Sequence, residues 1–325
     1  MKNTVLITGA AGFIGFHLSK RLLEDNYTVI GYDNLNNYYS EELKKDRIKI
    51  LNTKDGFIFK KASLEDYRTL EETFIEYKPD IVINLAAQAG VRYSIENPRA
   101  YIDSNIVGFF NVLQCCREFP ISHLLFASSS SVYGDSKDIP FSEEDNSDMP
   151  SSLYAATKKS DEVMAYSYSK LYGINMTGLR LFSVYGPYGR PDMAYYKFTD
   201  KITKGEALEV YNSGDMYRDF TYIDDVVEVI VRLLNVTPSK DKNNVSYKVY
   251  NVGYGSPESV DDVINILEKH LGKRAIRKNL PLQKGDVFIT YAQIKELERI
   301  IGYKPKVGLE EGLEKFITWY KKYTK

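Results

Sequence analysis

Two side chains in the middle of the chain have the types and the spacing needed to move a proton. Tyr154 and Lys158 stand four residues apart in Y-A-A-T-K, so they share one face if the segment is helical. A tyrosine phenol titrates at about pH 10 in water, and a nearby positive charge favours its ionised form, the phenolate. A Tyr–Lys pair of this kind can therefore act as a general base near neutral pH.

A serine run gives this pair its context. Ser128–Ser131 follows the apolar segment His123–Ala127, and open α/β sheets bind ligands at the carboxyl ends of their strands. A hydroxyl there can orient a substrate oxygen towards Tyr154. With 27 Tyr and 43 basic residues, about four such pairs arise by chance. A second pair, Tyr166 and Lys170, lies about 120° around the same helix, so we interpret it as a surface pair.

A glycine-rich turn near the N-terminus predicts a dinucleotide site. Gly9, Gly12 and Gly15 lie in G-A-A-G-F-I-G, directly after the apolar segment T-V-L-I-T. Glycine lets the backbone approach a pyrophosphate, and the N-terminus of the following helix offers free N–H groups to that anion. The small residues Ala86 and Ala87 leave room for the ribose and pyrophosphate, although helix–sheet packing explains them almost as well.

An acidic residue specifies which dinucleotide is expected. Asp33 lies 18 residues after Gly15 and can accept hydrogen bonds from both ribose hydroxyls. Its charge would repel a 2′-phosphate, and no Arg or Lys follows it directly in Asp33–Asn37. We therefore expect NAD rather than NADP, with a turn-capping Asp as the alternative.

Alternating apolar strands and helical patterns place these motifs. Strands are expected at 4–8, 28–32, 57–59, 81–85, 123–127 and 174–181, and helices at 13–24, 65–77, 98–119 and 152–172. This pattern predicts an α/β fold, a Rossmann-type doubly wound parallel sheet. Residues 1–182 are expected to form the NAD-binding domain, and 183–325 a smaller α/β lobe for the substrate, with the chain crossing between them more than once. Helices are expected there at 193–204, 222–234, 259–271 and 309–323.

Composition excludes several classes of protein. The 325 residues carry 43 Lys+Arg and 44 Asp+Glu, which argues against nucleic acid or an anionic membrane as the main partner. No apolar run is long enough to span a membrane, and no signal peptide precedes the first strand. The adjacent Cys115 and Cys116 and three scattered His argue against a disulfide or a zinc site. We expect a reduced, cytoplasmic protein without a bound metal.

Together these motifs resemble the extended short-chain dehydrogenase/reductase family, the NAD-dependent sugar-nucleotide epimerases and dehydratases. The resemblance spans the whole chain and includes T-G-A-A-G-F-I-G, L-A-A-Q-A-G-V-R-Y-S, D-S-N-I-V-G, S-S-S-S-V-Y-G, Y-A-A-T-K, L-R-L-F-S-V-Y-G-P-Y-G-R-P-D-M-A and R-D-F-T-Y-I-D-D. Within the family, A-A-Q-A-G-V-R-Y-S and Y-G-R-P-D-M-A look most like UDP-glucuronate 4-epimerases.

The resemblance implies an activity and a catalytic set. Ser129, Tyr154 and Lys158 would catalyse inversion at C4 of UDP-glucuronate, giving UDP-galacturonate through a transient 4-keto sugar with tightly bound NAD. The cofactor-binding residues that the family pattern implies, together with the motif residues above, are Gly9, Gly12, Phe13, Ile14, Gly15, Asp33, Asn34, Ser63, Leu64, Leu85, Ala86, Ala87, Asn105, Tyr154 and Lys158. Ser63 stands where the family commonly has an Asp that contacts adenine, which weakens that contact.

Two serines separate the subfamilies. The family's dehydratases have an Asp–Glu pair after the catalytic Ser/Thr position, and its UDP-glucuronate decarboxylases have a Glu before the valine. Ser130 and Ser131 occupy those places here, and a hydroxyl cannot replace a carboxylate as an acid or base near pH 7. Epimerisation is therefore expected. A neutral UDP-hexose or UDP-N-acetylhexosamine 4-epimerase and a catalytically silent NAD(H)-sensing protein remain alternatives.

The resemblance also implies a substrate site. Arg190 would bind the 6-carboxylate bidentately with help from Ser183, or else form a loop ion pair. Arg218 would contact the UDP phosphates, or else form an ordinary salt bridge. The other residues implied are Arg92, Ser129, Ser130, Tyr211, Gln283 and Asp286.

Family members commonly dimerise through two long helices, which correspond to 98–119 and 152–172 here. Ile106, Phe109, Phe110 and Val112 fit such an interface, and they fit packing on the sheet too. We expect a homodimer.

Overall fold

A seven-stranded parallel sheet forms the centre of the fold. The computed structural model describes residues 3–281 and 287–324. Its strands, in chain order, are β1 Thr4–Thr8, β2 Thr28–Asp33, β3 Phe57–Lys61, β4 Ile81–Asn84, β5 His123–Ser129, β6 Met176–Leu181 and β10 Tyr247–Val252. In spatial order they run β10, β6, β5, β4, β1, β2 and β3. The order reverses between β1 and β4, so a crevice opens at the carboxyl ends of these two strands.

Helices cover both faces of this sheet. Successive strand residues point to opposite sides, and the apolar side chains on each side need a layer of helices to bury them. On β1, Val5 and Ile7 belong to one buried cluster and Leu6 to the other. The helices of this part of the chain are α1 Phe13–Glu24, α2 Glu41–Leu51, α3 Tyr67–Tyr77, α4 Tyr93–Glu96, α5 Pro98–Tyr101, α6 Gly108–Glu118, α7 Leu153–Tyr172 and α9 Ile223–Leu233. The sheet is thus buried on both sides, as a parallel sheet requires.

The remaining elements build a smaller α/β part beside the sheet. They are β7 Ser183–Tyr185, α8 Ala194–Lys204, β8 Ala207–Tyr211, β9 Tyr217–Tyr222, β11 Pro257–Ser259, α10 Val260–Leu271, β12 Ile276–Leu280, α11 Lys295–Ile301 and α12 Leu309–Tyr323. Strands β11, β9 and β7 form one small sheet, and β12 pairs with β8 in parallel. Because β10 joins the large sheet, the chain returns to it after β7–β9; the boundary at residue 182 stays a prediction.

The expected doubly wound α/β fold is confirmed, although one expected helix is interrupted and the helices α2, α4 and α11 were not predicted. The expected helix 98–119 is interrupted by a π-helical turn at Ile102–Val107. This wide turn carries the buried Asn105, whose amide bonds other parts of the chain. The sequence analysis missed α2, because its buried face includes Lys44 and Arg47 beside Leu43 and Ile48. A helix that buries charged residues does not show the apolar period on which such predictions rest.

A buried ion pair fixes α7 against the sheet. Arg180 of β6 binds the Glu162 carboxylate through Nε and Nη2, both at 2.9 Å. The Ser128 hydroxyl of β5 donates to the same carboxylate at 2.6 Å. All three side chains are buried, so losing one partner would leave an uncompensated charge inside the protein. Helix α7 begins after Ser152, whose Oγ accepts the Ala155 N–H.

In the part of the chain that the structure describes, no helix combines the length and the apolar character that crossing a membrane requires.

Candidate active site

A cavity of about 420 Å³ opens at the carboxyl edge of the large sheet. It runs past the ends of β1, β2, β4 and β5 and reaches the first residues of α7 and the loop after β7. Of the residues predicted from sequence, those that line it are Gly9, Gly12, Phe13, Ile14, Gly15, Asp33, Asn34, Leu64, Leu85, Ala86, Ala87, Ser129, Ser130, Tyr154, Lys158, Ser183 and Arg190. The fold therefore brings the glycine-rich turn, the serine run and the Tyr–Lys pair to one cavity.

The glycine-rich turn has no room for side chains. Gly9 has φ +72°, and a Cβ there would lie 2.7 Å from the Ala86 nitrogen. A Cβ on Gly15 would lie 2.1 Å from the Gly9 oxygen, so the turn can close only with glycine at both places. Gly12 precedes α1 with extended backbone and no side-chain cap. The first N–H groups of α1 are thus left for an anion at the cavity wall.

Asp33 holds this turn in place. Its Oδ2 accepts the Ala11 N–H at 3.1 Å and its Oδ1 accepts the Leu35 N–H at 2.8 Å. Burial raises the pKa of the Asp33 carboxyl, against the effect of these donors and of the nearby Lys44. Lys44 of α2 also lines the cavity. A basic side chain therefore lies near Asp33, although none follows it directly in the sequence. Its ammonium donates to the backbone and side-chain oxygens of Asn36, both at 2.6 Å.

The four serines at the carboxyl end of β5 have different partners. All four line the cavity, and the Ser128 hydroxyl is also bound to the Glu162 carboxylate. Ser129 Oγ accepts the Ser131 N–H at 3.2 Å and lies 3.1 Å from Ser131 Oγ, which caps the short helical turn at Ser130–Tyr133. This cap fixes the Ser129 hydroxyl at the end of its strand.

Tyr154 and Lys158 occupy the first two turns of α7. The Lys158 ammonium is buried and donates to the Ala127 carbonyl of β5 and to Asp161 Oδ2, both at 3.0 Å. The Tyr154 ring packs edge-on against Tyr101, with centroids 6.0 Å apart. The second pair of the helix lies elsewhere: Tyr166 packs edge-on against Tyr247, and Lys170 is exposed.

Asn105 lies beneath the cavity wall. Its amide accepts the Gln88 N–H at 2.8 Å and donates to the Gln88 carbonyl at 3.1 Å and the Thr157 hydroxyl at 2.9 Å. These bonds tie the loop after β4 to α7, and Gln88 rather than Asn105 lines the cavity. Among the described residues, Asn105 therefore supports the loop after β4 from behind the cavity wall.

Arg190 reaches the cavity already paired. Its Nε and Nη2 donate to the Asp192 carboxylate at 3.0 and 2.5 Å, and Tyr38 donates to the same carboxylate at 3.1 Å. Burial alone would raise the pKa of Asp192, but the guanidinium outweighs it and holds that pKa below its ordinary value. One edge of the guanidinium is thus occupied, and the edge containing Nη1 has no partner among the residues that the structure describes.

The other predicted site residues are not among the described residues that line the cavity. Ser63 accepts from Asn34 Nδ2 at 3.1 Å. The Arg92 guanidinium lies over the Tyr211 ring, 5.1 Å from its centroid, so these two residues do meet. Arg218 donates to the Tyr217 and Phe288 carbonyls. Gln283 and Asp286 lie outside the described residues.

Sequence reasoning missed Arg47, which joins the two loops of the site. Its Nη1 donates to the Ala11 carbonyl in the glycine-rich turn at 2.7 Å, and its Nη2 donates to the Tyr188 carbonyl at 2.6 Å. Tyr188 lies in the loop that carries Arg190 and has φ +55°. Arg47 is fully buried, so the position of one loop depends on the other. A basic residue in a polar helical segment gave no signal of this role.

The fold and the site define the class of protein. Residues 5–253 match the model of the NAD dependent epimerase/dehydratase family, and the chain belongs to this family. Protein CapI of Staphylococcus aureus is 52% identical over 332 residues, which cover 99% of each chain. A probable UDP-glucuronate 4-epimerase of Rhizobium meliloti is 46% identical, over 97% of this chain and 96% of that protein.

A solved structure has the same fold throughout. The UDP-glucuronic acid 4-epimerase from Bacillus cereus, in complex with UDP-glucuronic acid and NAD, superposes with a TM-score of 0.91. It is 33% identical, and the match covers 98% of this chain and 99% of that one. The family resemblance and the expectation of NAD are confirmed. The side-chain-free glycine turn, the open α1 N-terminus and Asp33 fit that cofactor.

Replacing Arg47 with Met tests the link between the two loops. The variant keeps an unbranched side chain but leaves the Ala11 and Tyr188 carbonyls without their charged donor. We expect NAD to bind at least about 10-fold more weakly, since hydrogen bonds to a charged group contribute ~1.5–3 kcal/mol. The measurement is the NAD content of purified protein after dialysis. Lys49→Met removes an exposed cation from the same helix and should retain NAD; equal retention in both variants would limit Arg47 to a packing role.

Proposed function

We propose that this chain inverts C4 of UDP-glucuronate to UDP-galacturonate through a transient 4-keto sugar, with NAD held throughout. The observation that carries the proposal is one cavity lined by the glycine-rich turn, Ser129, the Tyr154–Lys158 pair and Arg190. Relatives named UDP-glucuronate 4-epimerase support the substrate and bear out the expectation from sequence.

The proton transfer is assigned to Tyr154. When bound, NAD would supply a hydride acceptor for C4 and, once the keto sugar has turned its other face, the hydride donor for the return step. Tyr154, as the phenolate, removes the proton of the 4-hydroxyl and later gives it back. Lys158 favours the phenolate by its charge, and the capped Ser129 hydroxyl orients the sugar oxygen. Because the oxidant is regenerated in each turnover, the protein needs no exchange of cofactor.

The distribution of carboxylates favours epimerisation over elimination or decarboxylation. Among the described residues that line the cavity, only Asp33 and Glu65 are acidic. Asp33 ends β2, and Glu65 follows β3; both lie at least three strands from β5, or about 14 Å at ~4.8 Å per strand. No carboxyl group among the described lining residues is therefore placed beside Ser129 to take a proton from C5, as elimination needs, or to give one to C5, as decarboxylation needs.

Arg190 is the proposed partner of the substrate carboxylate. Asp192 takes the Nε–Nη2 edge, and the edge containing Nη1 remains for a second carboxylate. A guanidinium can hold two carboxylates on different edges because its five donors lie in one plane. Tyr38 supports this arrangement, as its ring lies under the Arg190 guanidinium at 5.8 Å. In this role Asp192 orients Arg190.

Turnover without added cofactor tests the activity. Purified protein incubated with UDP-glucuronate should form UDP-galacturonate, detected by chromatography, and approach the same ratio from either sugar. Tyr154→Phe should lower kcat by 10²-fold or more, the usual range for loss of a general base, while it retains NAD. Conversion only with added NAD would contradict a permanently held cofactor, and full activity of Tyr154→Phe would favour the NAD(H)-sensing alternative.

Replacing Arg190 with Ala tests the carboxylate contact. We expect kcat/KM for UDP-glucuronate to fall by roughly 10- to 100-fold, because charge-assisted hydrogen bonds contribute ~1.5–3 kcal/mol. Any turnover of UDP-glucose, which lacks the carboxylate, should change much less. Asp192→Asn keeps Arg190 but weakens its orientation and should give a smaller loss. Equal losses on both sugars would instead favour a neutral-sugar epimerase.

We also propose a homodimer through an apolar strip on two neighbouring helical segments. The strip comprises Ile102 and Phe110 on one segment and Val163 and Leu171 on α7, with exposures between 37% and 67%. Phe109 and Val112, by contrast, are buried in the core, so only part of the segment packs on the sheet. Apolar side chains exposed on helical segments that contact each other are typical of a helical interface.

A charge in the strip should separate the subunits. Phe110→Glu places a carboxylate where a partner would bury it, so we expect a monomer of 37.3 kDa. Light scattering after size exclusion gives the mass. Ile276→Glu, a similar change on the exposed strand β12, should leave the dimer intact. A wild-type monomer would contradict the proposal.

We place the enzyme in the reducing cytoplasm as part of the same proposal. Cys115 and Cys116 are both buried and free. Burial raises the pKa of the Cys115 thiol to about 12, so these thiols are poor nucleophiles and fit a structural role.

A further inference from the structure

A third side chain continues the row formed by Tyr154 and Lys158. Asp161 lies seven residues after Tyr154, which places it within about 20° of the same helix face. Its Oδ2 accepts a hydrogen bond from the Lys158 ammonium at 3.0 Å. The two side chains are only 3% and 1% exposed. A buried ion pair therefore lies directly behind the proposed proton relay.

The Asp161 carboxylate has a single polar partner among the described residues, the Lys158 ammonium. Its Oδ1 is buried and has no hydrogen-bond partner among the described residues, so Lys158 is its one described polar partner. The adjacent Glu162, in contrast, is fully used by Arg180 and Ser128. Burial raises the pKa of Asp161 to about 6, although Lys158 opposes the shift. Burying this carboxylate costs free energy, and the one interaction that offsets the cost is its ion pair with Lys158. We therefore look for its role in what it does to Lys158.

We propose that Asp161 is a positioning residue for the relay: it fixes the Lys158 ammonium and partly cancels the charge that this ammonium presents to Tyr154. The inference rests on the proton-transfer role proposed for Tyr154. With the Ala127 carbonyl, Asp161 takes two of the three ammonium donors, so the third has a defined direction. The charge that tunes the phenol is then that of a pair rather than of a lone lysine.

The size of the effect follows from the helix geometry. Seven residues span about 10 Å, and one charge at that distance with an effective dielectric of ~20 shifts a titration by about one pH unit. The other groups that act on Asp161 are Glu162 on its own helix and Tyr247 on β10. Glu162 is balanced by Arg180 of β6, and burial raises the pKa of the Tyr247 phenol far above neutrality. Asp161 is thus the group whose charge changes near pH 6.

Asp161→Asn tests the proposal, since the amide keeps the shape and can still accept from Lys158. Without the negative charge the phenolate is favoured, so the acid limb of the kcat/KM profile with UDP-glucuronate should move about one unit to lower pH. The two profiles should merge below about pH 6, where the wild-type carboxyl is protonated. A second readout needs no turnover: the ultraviolet phenolate absorbance of the NAD-loaded protein, minus that of Tyr154→Phe, should titrate with the same displacement.

The control is Asp148→Asn, which removes an exposed carboxylate 3.5 Å from the neighbouring Lys159. Its profile and its titration should coincide with those of the wild type. Asp161→Ser, a second neutral variant, should reproduce the displacement if the Asn variant folds poorly. Coincidence of the wild-type and Asp161→Asn titrations would overturn the inference. Because that titration does not depend on the sugar, a failure of the proposed substrate would be seen separately, as absent turnover with a displaced titration.

Discussion

The anchoring of α7 on the sheet is the constraint on which the site depends. Glu162 binds Arg180 of β6 and Ser128 of β5 in the protein interior, which sets both the rotation and the height of the helix. Tyr154 and Lys158 lie eight and four residues earlier on the same rigid helix, and Ser129 follows Ser128 on the strand. One buried carboxylate therefore fixes the relative position of all three proposed catalytic groups. Such a site needs little reorganisation during the reaction.

The loops of the cavity are held by side chains that bond backbone groups. Asn105 holds Gln88, and Arg47 holds both Ala11 and Tyr188. Loops lack the regular backbone hydrogen bonds that hold strands and helices in place. Buried polar side chains must therefore bond the loop backbone instead. Side chains outside the cavity lining thus decide where the backbone of the lining loops lies. This explains why polar residues such as Arg47 and Asn105 are buried beside the cavity.

The sequence predicted the elements with apolar periods and the motifs that lie at their ends. Helices α1 and α12 have the expected bounds, and the glycine turn, Ser129 and Tyr154 share one cavity. Contacts between distant segments could not be predicted. Arg47 lies in a polar helix that shows no apolar face. The ion pair of Arg190 with Asp192, two residues along the same loop, is the loop ion pair that the sequence left as an alternative for Arg190. The position of Asp161 beside Lys158 could have been predicted, since its spacing of seven residues from Tyr154 places it on the same helix face.

The placement of negative charge gives the site its chemistry. The 4-keto form of a uronate is a β-keto acid that can lose its 6-carboxyl group as carbon dioxide, and an acid beside C5 would complete that reaction by protonating this carbon. Around the end of β5 the cavity offers the hydroxyls of Ser129 and Ser130, while the nearest buried acids, Asp161 and Glu162, point into the protein and are bound to cations. The acids that hold helix α7 and Lys158 are thus kept out of the cavity lining. In the proposed reaction one carbon is oxidised and reduced repeatedly, and the Tyr154 phenol is then the group left to exchange a proton.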